Sequence, residues 1–204
     1  ENCFGILRSN IMHVGFPRHD DDWIKYIKNI DKFNIENEYG KFVFLIGRHA
    51  GPFNPPERKK KALRDIYNLI CIKNKLKLIV KIHPKEDLAG FDGSIYREAF
   101  GLDNYGKTWS FSSMHPLIIG KDALFSISFC SGVALDMLAL NKPTIEYLDL
   151  RNLNSYNGND VFFDDHGNKV MMYRFAKLVI GVDSNLALEE AIESIINNYN
   201  EVLF

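Results

Sequence analysis

The sequence predicts an α/β fold: a Rossmann-like, mostly parallel sheet with helices on both faces. Three observations carry this expectation. Short runs dominated by apolar residues, such as "KFVFLIG" (41–47) and "KLKLIVKI" (75–82), have strand length, as buried parallel strands require. Longer stretches between them repeat apolar residues at helical spacing. Gly and Pro punctuate the joins, so strands and helices alternate along the chain.

Each element follows in order. Asp20, Asp21 and Asp22 precede Trp23, Ile24, Ile27 and Ile30, and acidic residues ahead of a helically spaced apolar set complement a helix dipole. A short helix is expected near 21–31, then a polar linker over Asn34–Gly40. Residues 1–40 are thus read as an inter-domain linker region with one helix, and 41–204 as the Rossmann-like domain. After the first strand, Pro55 and Pro56 open a helix on which Ala62, Leu63, Ile66, Tyr67 and Ile70 form one stripe, with Lys59, Lys60 and Lys61 expected on its solvated face. His83-Pro84 halts the second strand. Residues 85–107 carry little pattern and read as loop with a helical turn or two. "TWSFSS" (108–113), "LFSIS" (124–128) and "PTIEYL" (143–148) are the next strands, separated by helices in "HPLIIGKDA" and "SGVALDMLAL" (131–140). Residues 151–175 read as a long loop with an Asn/Gly/Asp-rich centre, "KLVIGV" (177–182) as a last strand, and 186–200 as a closing helix with Leu188, Ala191, Ile192, Ile195, Ile196 and Tyr199 on one face.

Composition narrows the function classes. The 204 residues are 46% hydrophobic and 25% charged, enough to bury a core and too apolar for disorder. Twenty-five Lys+Arg against 26 Asp+Glu leave a net charge of −1, and no basic stripe interleaved with aromatics is visible, so nucleic acid is not an expected partner. Cys3, Cys71 and Cys130 form no CxxC pair, which argues against a structural zinc site and for a reducing compartment such as the cytoplasm. No apolar run is long enough to span a bilayer. The chain begins at Glu1 rather than Met, and a fragment of a longer protein is the expectation.

Ligands of open parallel sheets bind beyond the carboxyl ends of the strands, which singles out loops 48–56, 83–92, 113–116, 129–132 and 149–160. Ser131-Gly132 opens a helix after a strand: Ser131 suits an N-cap, and Gly132 lets a ligand reach the backbone N–H groups, a natural phosphate site, or else a capped helix with nothing bound. Asp136 is the only charged residue on that helix; it could accept from a ribose, or bond a neighbouring backbone group or Lys. His83, at a strand tip with Lys81 and Lys85 beside it, could neutralise a phosphate or protonate a leaving group. Arg48 and His49 follow the first strand in the same way, and Arg48 could hold a phosphate bidentately. His115, with Ser112, Ser113 and Trp109, either lines a base pocket or simply begins a helix.

Taken together and in order, Gly15-Phe16-Pro17-Arg18-His19-Asp20, Lys81-Ile82-His83-Pro84, Phe129-Cys130-Ser131-Gly132, Asp136 and Asn141-Lys142-Pro143 resemble the C-terminal half of GT-B transferases of bacterial surface polymers. CDP-glycerol glycerophosphotransferases and capsule glycosyltransferases are the families most similar in motif order, over roughly residues 11–200. Lys81 stands where those enzymes carry Arg, Gly132 replaces a second Ser, and "GRHAGPFNPP" lacks their Pro-Thr-x-Arg segment. Cys130-Ser131-Gly132 is also similar to the Asp-Ser-Gly-Gly turn of UDP-N-acetylglucosamine 2-epimerases, without their following acidic pair.

The resemblance implies the donor-binding half of a transferase that uses a CMP-, CDP- or UDP-linked sugar, without a metal or other cofactor. Arg48, Lys81, His83, Ser131 and Gly132 would meet the donor phosphates, His83 acting catalytically on the leaving group, while Asp136, Ser113 and His115 would meet ribose and base. It further implies a polysaccharide or glycolipid acceptor, work at the inner face of the membrane with peripheral association, and an N-terminal half that supplies the acceptor's base. A non-catalytic nucleotide-binding module is the alternative from outside the enzymes.

Overall fold

In the computed structural model, residues 15–30, 35, 39–151 and 161–197 are described. The chain runs α1 (Asp21–Lys28), β1 (Phe42–Ile46), α2 (Pro56–Tyr67, continued by a π-helical turn Asn68–Lys73), β2 (Lys77–Lys81), α3 (Phe91–Phe100), β3 (Trp109–Phe111), α4 (Pro116–Asp122), β4 (Ser126–Ser128), α5 (Val133–Ala139), β5 (Thr144–Tyr147), β6 (Val161–Phe163), β7 (Lys169–Met171), α6 (Met172–Phe175), β8 (Ile180–Val182) and α7 (Asn185–Asn197). Six strands form one sheet in the order β3-β2-β1-β4-β5-β8, every pairing parallel. The predicted Rossmann-like architecture is the observed one.

Strand alternation divides the core between the faces of the sheet. Val43, Leu45, Leu78, Val80, Ile127 and Ile145 point to the layer that also holds α2, α3 and α7. Phe42, Phe44, Ile46 and Ile79 point to the layer of α1, α4 and α5, with Ile24, Ile27, Leu117 and Met137 against them. All five residues of β1 are buried, as a central strand covered on both sides must be. α5 ends on Asn141 in the left-handed region (φ +59°), whose successor Lys142 donates its N–H to the Met137 carbonyl, a Schellman-type stop just before Pro143.

The structure corrects several expectations. Residues 91–100, within a stretch read as loop with a helical turn or two, form the three-turn α3, on which Ile95, Tyr96 and Phe100 are buried. Gly93 and Ser94 dilute its apolar stripe, and no side chain caps its start, so the sequence carried neither helix signal. Residues 161–175, read within a long loop, form the antiparallel β6–β7 hairpin and the one-turn α6; the Asp164 carboxylate accepts the N–H groups of His166 and Asn168 to make the turn. Lys59 is wholly buried instead of solvated, whereas Lys60 and Lys61 pair with Glu98 and Asp65 at the surface. The Asn34–Gly40 linker, the middle of the 151–175 loop and the last turn of the closing helix lie largely outside the described residues.

Candidate functional site

From β1 the sheet is built outward first through β2 and β3, then on the other side through β4, β5 and β8, so the strand order reverses between β1 and β4. The crevice beyond their carboxyl ends is where such a sheet accepts ligands. Gly47–His49 leave β1 there, Phe129–Gly132 leave β4, and His83–Glu86 leave the adjacent β2. A fourth segment arrives from the N-terminal side: a 3-10 turn over Pro17–His19, whose carboxyl end Asp20 caps α1 by accepting from Asp22 and Trp23 N–H.

Two clefts share the His83-Pro84 wall. The first, about 420 Å³, is bounded by Phe16, Arg18, His83, Ser131, Gly132 and Tyr173. The second, about 490 Å³, lies among Lys81, His83, Tyr105, Phe111, Ser112 and Ser113. His83 Nδ1 accepts the Lys85 N–H at 3.1 Å, and its ring lies 5.4 Å from that of His49. Partial burial lowers its pKa below the ordinary histidine value, as do the charges of Arg48 and His49, with Glu86 opposing them. Lys81 donates to the Ser113 carbonyl at 3.2 Å, and burial lowers its pKa too.

The turn after β4 differs in detail from its sequence reading. Cys130 is held in the left-handed region (φ +65°), a strained position for a residue with a Cβ, and Arg48 Nη1 donates to its carbonyl at 2.7 Å. Gly132, not Ser131, is the N-cap of α5; Ser131 is buried, and its Oγ accepts the Val133 N–H at 3.4 Å. Arg48 braces this turn, its guanidinium 5.1 Å from the centre of the Phe53 ring, and lines neither cleft.

Asp136 is buried, and both carboxylate oxygens are engaged from within the protein. Arg18 grips it in a fork, Nε to Oδ1 at 2.7 Å and Nη2 to Oδ2 at 2.5 Å, and His19 Nε2 adds a contact to Oδ1 at 2.8 Å. Its partners within the protein are Arg18 and His19, where the sequence reading considered a backbone group or a Lys. Ser113 is exposed on the wall of the second cleft. His115 begins α4, its Nδ1 accepting the Leu117 N–H at 3.3 Å; burial, then the charge of Arg18, lowers its pKa.

Sequence reading assigned no role to Arg18, Phe16, Tyr105 or Tyr173, all cleft-lining. A buried acid on an apolar helix requires a partner, but nothing local in the sequence says that it is Arg18, 118 positions away. Among the described residues no group of three or more His, Cys, Asp or Glu could hold a metal ion, and no helix is long and apolar enough to cross a membrane.

No protein-family model matches the chain, and no curated protein does. Solved structures do. Methanocaldococcus jannaschii UDP-GlcNAc 2-epimerase, in complex with UDP-GlcNAc and UDP, superposes with a TM-score of 0.62 at 18% identity, covering 96% of this chain and 50% of that one. S. aureus MnaA with UDP gives 0.56 at 14%, covering 97% and 48%. UDP-GlcNAc 2-epimerase from Neisseria meningitidis bound to UDP-GlcNAc gives 0.52 at 13%, covering 88% and 41%. The likeness is one of fold. The chain spans about half the length of the first two structures.

Proposed function

We propose that this chain binds the nucleotide of an activated sugar, as the donor-binding half of a GT-B glycosyltransferase or polyol-phosphate transferase. The observation that carries the reading is the pair of clefts meeting at His83 over the sheet's switch point, bordered by Arg18 and Lys81. Charged phosphate fits that border; the second cleft, with Tyr105 and Phe111 on its walls, suits a flat base, with Ser112 and Ser113 for its polar edge. Structures of this fold crystallised with UDP support the ligand class.

In this scheme the diphosphate lies against Arg18, His83 and the Ser131–Gly132 turn. As the bond to the sugar breaks, negative charge grows on the leaving phosphate, and fixed positive charge at that place lowers the barrier. His83, with its pKa lowered, is largely neutral at pH 7 and gains a proton readily once an anion sits beside it. A surface polysaccharide or glycolipid is the proposed acceptor.

Calorimetric titration with UDP, CDP, CMP, GDP and ADP tests the reading. One nucleotide binding selectively, and His83→Ala weakening it tenfold or more (about 1.4 kcal/mol), supports it; no heat from any of them removes it. The epimerase reading has support in the fold of the solved structures. It predicts that UDP-GlcNAc, incubated without acceptor in deuterated water, takes up deuterium at C2, which a transferase half would not cause.

A further inference from the structure

Beneath the His83 loop lies a charged cluster with no surface exposure to explain it. Lys59 on α2 is 0% exposed, and its Nζ donates to Glu86 Oε1 at 2.5 Å. Tyr96 Oη, from α3, donates to the same oxygen at 2.8 Å. The other oxygen, Oε2, accepts the backbone N–H of His83 at 2.5 Å. Lys59 also stands 4.6 Å from the centre of the Tyr96 ring and 3.9 Å from Asp92. Gly47, at the end of β1, completes the enclosure: a Cβ there would come within 2.7 Å of both Glu86 Oε2 and Tyr96 Oη.

Stability does not account for this cluster. A buried ion pair recovers little more than its desolvation cost, and apolar residues of the same volume are often as stable. What the cluster does that apolar packing could not is bind a loop backbone at one fixed place. We propose that Glu86 is a positioning residue: its carboxylate, itself held by Lys59 and Tyr96, fixes the His83 backbone so that the imidazole stands on the wall between the two clefts. This rests on reading His83 as part of the nucleotide site. The cluster ties α2, α3 and the backbone that follows β2 to one carboxylate, so the loop has one well-defined position before any ligand arrives.

Glu86→Ala alone is a poor test, because it strands a buried Lys59 and threatens folding. Two double variants avoid this. In Lys59→Met/Glu86→Gln the amide carbonyl accepts the His83 N–H and the amide NH2 donates to Tyr96. In Lys59→Met/Glu86→Leu no acceptor remains. Both remove the buried Lys59–Glu86 pair, and both should unfold cooperatively, the Leu variant several degrees lower because it leaves the His83 N–H without an acceptor. UDP affinity by calorimetry and exchange of the His83 amide by NMR are then compared. The Gln variant is expected to keep UDP affinity within threefold of the parent and a protected His83 amide. The Leu variant is expected to lose tenfold or more in affinity and to exchange that amide at least tenfold faster. Equal affinity and equal protection in the two variants overturn the inference. If the parent chain binds no UDP, the nucleotide reading fails, and His83 amide exchange alone decides whether Glu86 positions the loop.

Discussion

Replacing either partner of the Arg18–Asp136 fork should have unequal consequences, and the inequality follows from burial. The Asp136 side chain is 3% exposed and that of Arg18 38%. Asp136→Asn removes a charge from the inside and leaves a guanidinium that water can partly re-solvate. Three contacts converge on that carboxylate, and charge-assisted bonds contribute about 1.5–3 kcal/mol each in favourable settings. Partial exposure of Arg18 discounts the sum, so the expected loss is about 2–3 kcal/mol. Arg18→Ala instead leaves the carboxylate in place with only His19, a broken buried pair, for which about 3–5 kcal/mol is expected. The double variant should cost roughly as much as Asp136→Asn alone, so the coupling should be about the size of the Arg18→Ala loss, about 3–5 kcal/mol. Urea unfolding of the four proteins measures this, and melting temperatures should fall by about 2–4 °C per kcal/mol for a chain of this size. The reasoning fails if Arg18→Ala costs no more than Asp136→Asn, or if the single losses add. Had Asp136 instead been holding a ribose, Asp136→Asn would weaken UDP binding tenfold while leaving the melting temperature unmoved.

Other outcomes follow from titrating groups. Glu146 on β5 is 2% exposed, and burial raises its pKa to about 7, opposed by the charge of Arg174. An acid with a raised folded pKa favours the native state at low pH, so stability should fall as pH rises from 4.5 to 7, by about 3 kcal/mol in all. Glu146→Gln should flatten that slope in pH-dependent urea unfolding; an unchanged slope refutes the assignment. His83 has a lowered pKa, so the unfolded chain binds its proton first, and the histidine disfavours folding as pH drops below about 6.5. UDP affinity should move the other way: it should rise below that pH by more in the parent chain than in His83→Gln, a comparison that cancels titration of UDP itself. Cys71 is buried with its thiol raised to about 12, and alkylation mapped by mass spectrometry at pH 8 should leave it unmodified in the native state.

How far the sequence revealed this molecule depended on whether a local signal matched the final environment. Strands β1 and β2 were legible because a fully buried parallel strand is written as an apolar run. α3 was not, because Gly93 and Ser94 interrupt its stripe and tertiary packing of Ile95, Tyr96 and Phe100 supplies what propensity lacks. The hairpin β6–β7 has strands of three residues, too short for alternation to register. Lys59 misled for a related reason. It sits in a run of three lysines, and only the fold brings Glu86 from 27 residues away to meet it.

The candidate site divides the same way. His83, Ser131 and Gly132 were singled out because strand ends and helix starts can be read locally, and the fold brings them to one cleft. Asp136 and Arg48 were found as residues, but their partners are non-local: Arg18 is 118 positions from Asp136, and Arg48 is 82 from the Cys130 carbonyl. These partners give the site its sign. The chain carries a net charge of −1, yet Asp136 and Glu86, the acids nearest the clefts, are turned inward onto Arg18, His19, Lys59 and Tyr96. A guanidinium has five N–H donors, and Asp136 takes two, so Arg18 can hold the acid and still present donors to the cleft it lines. Internal neutralisation of the acids, rather than an excess of bases, is what makes this end of the sheet suited to an anion.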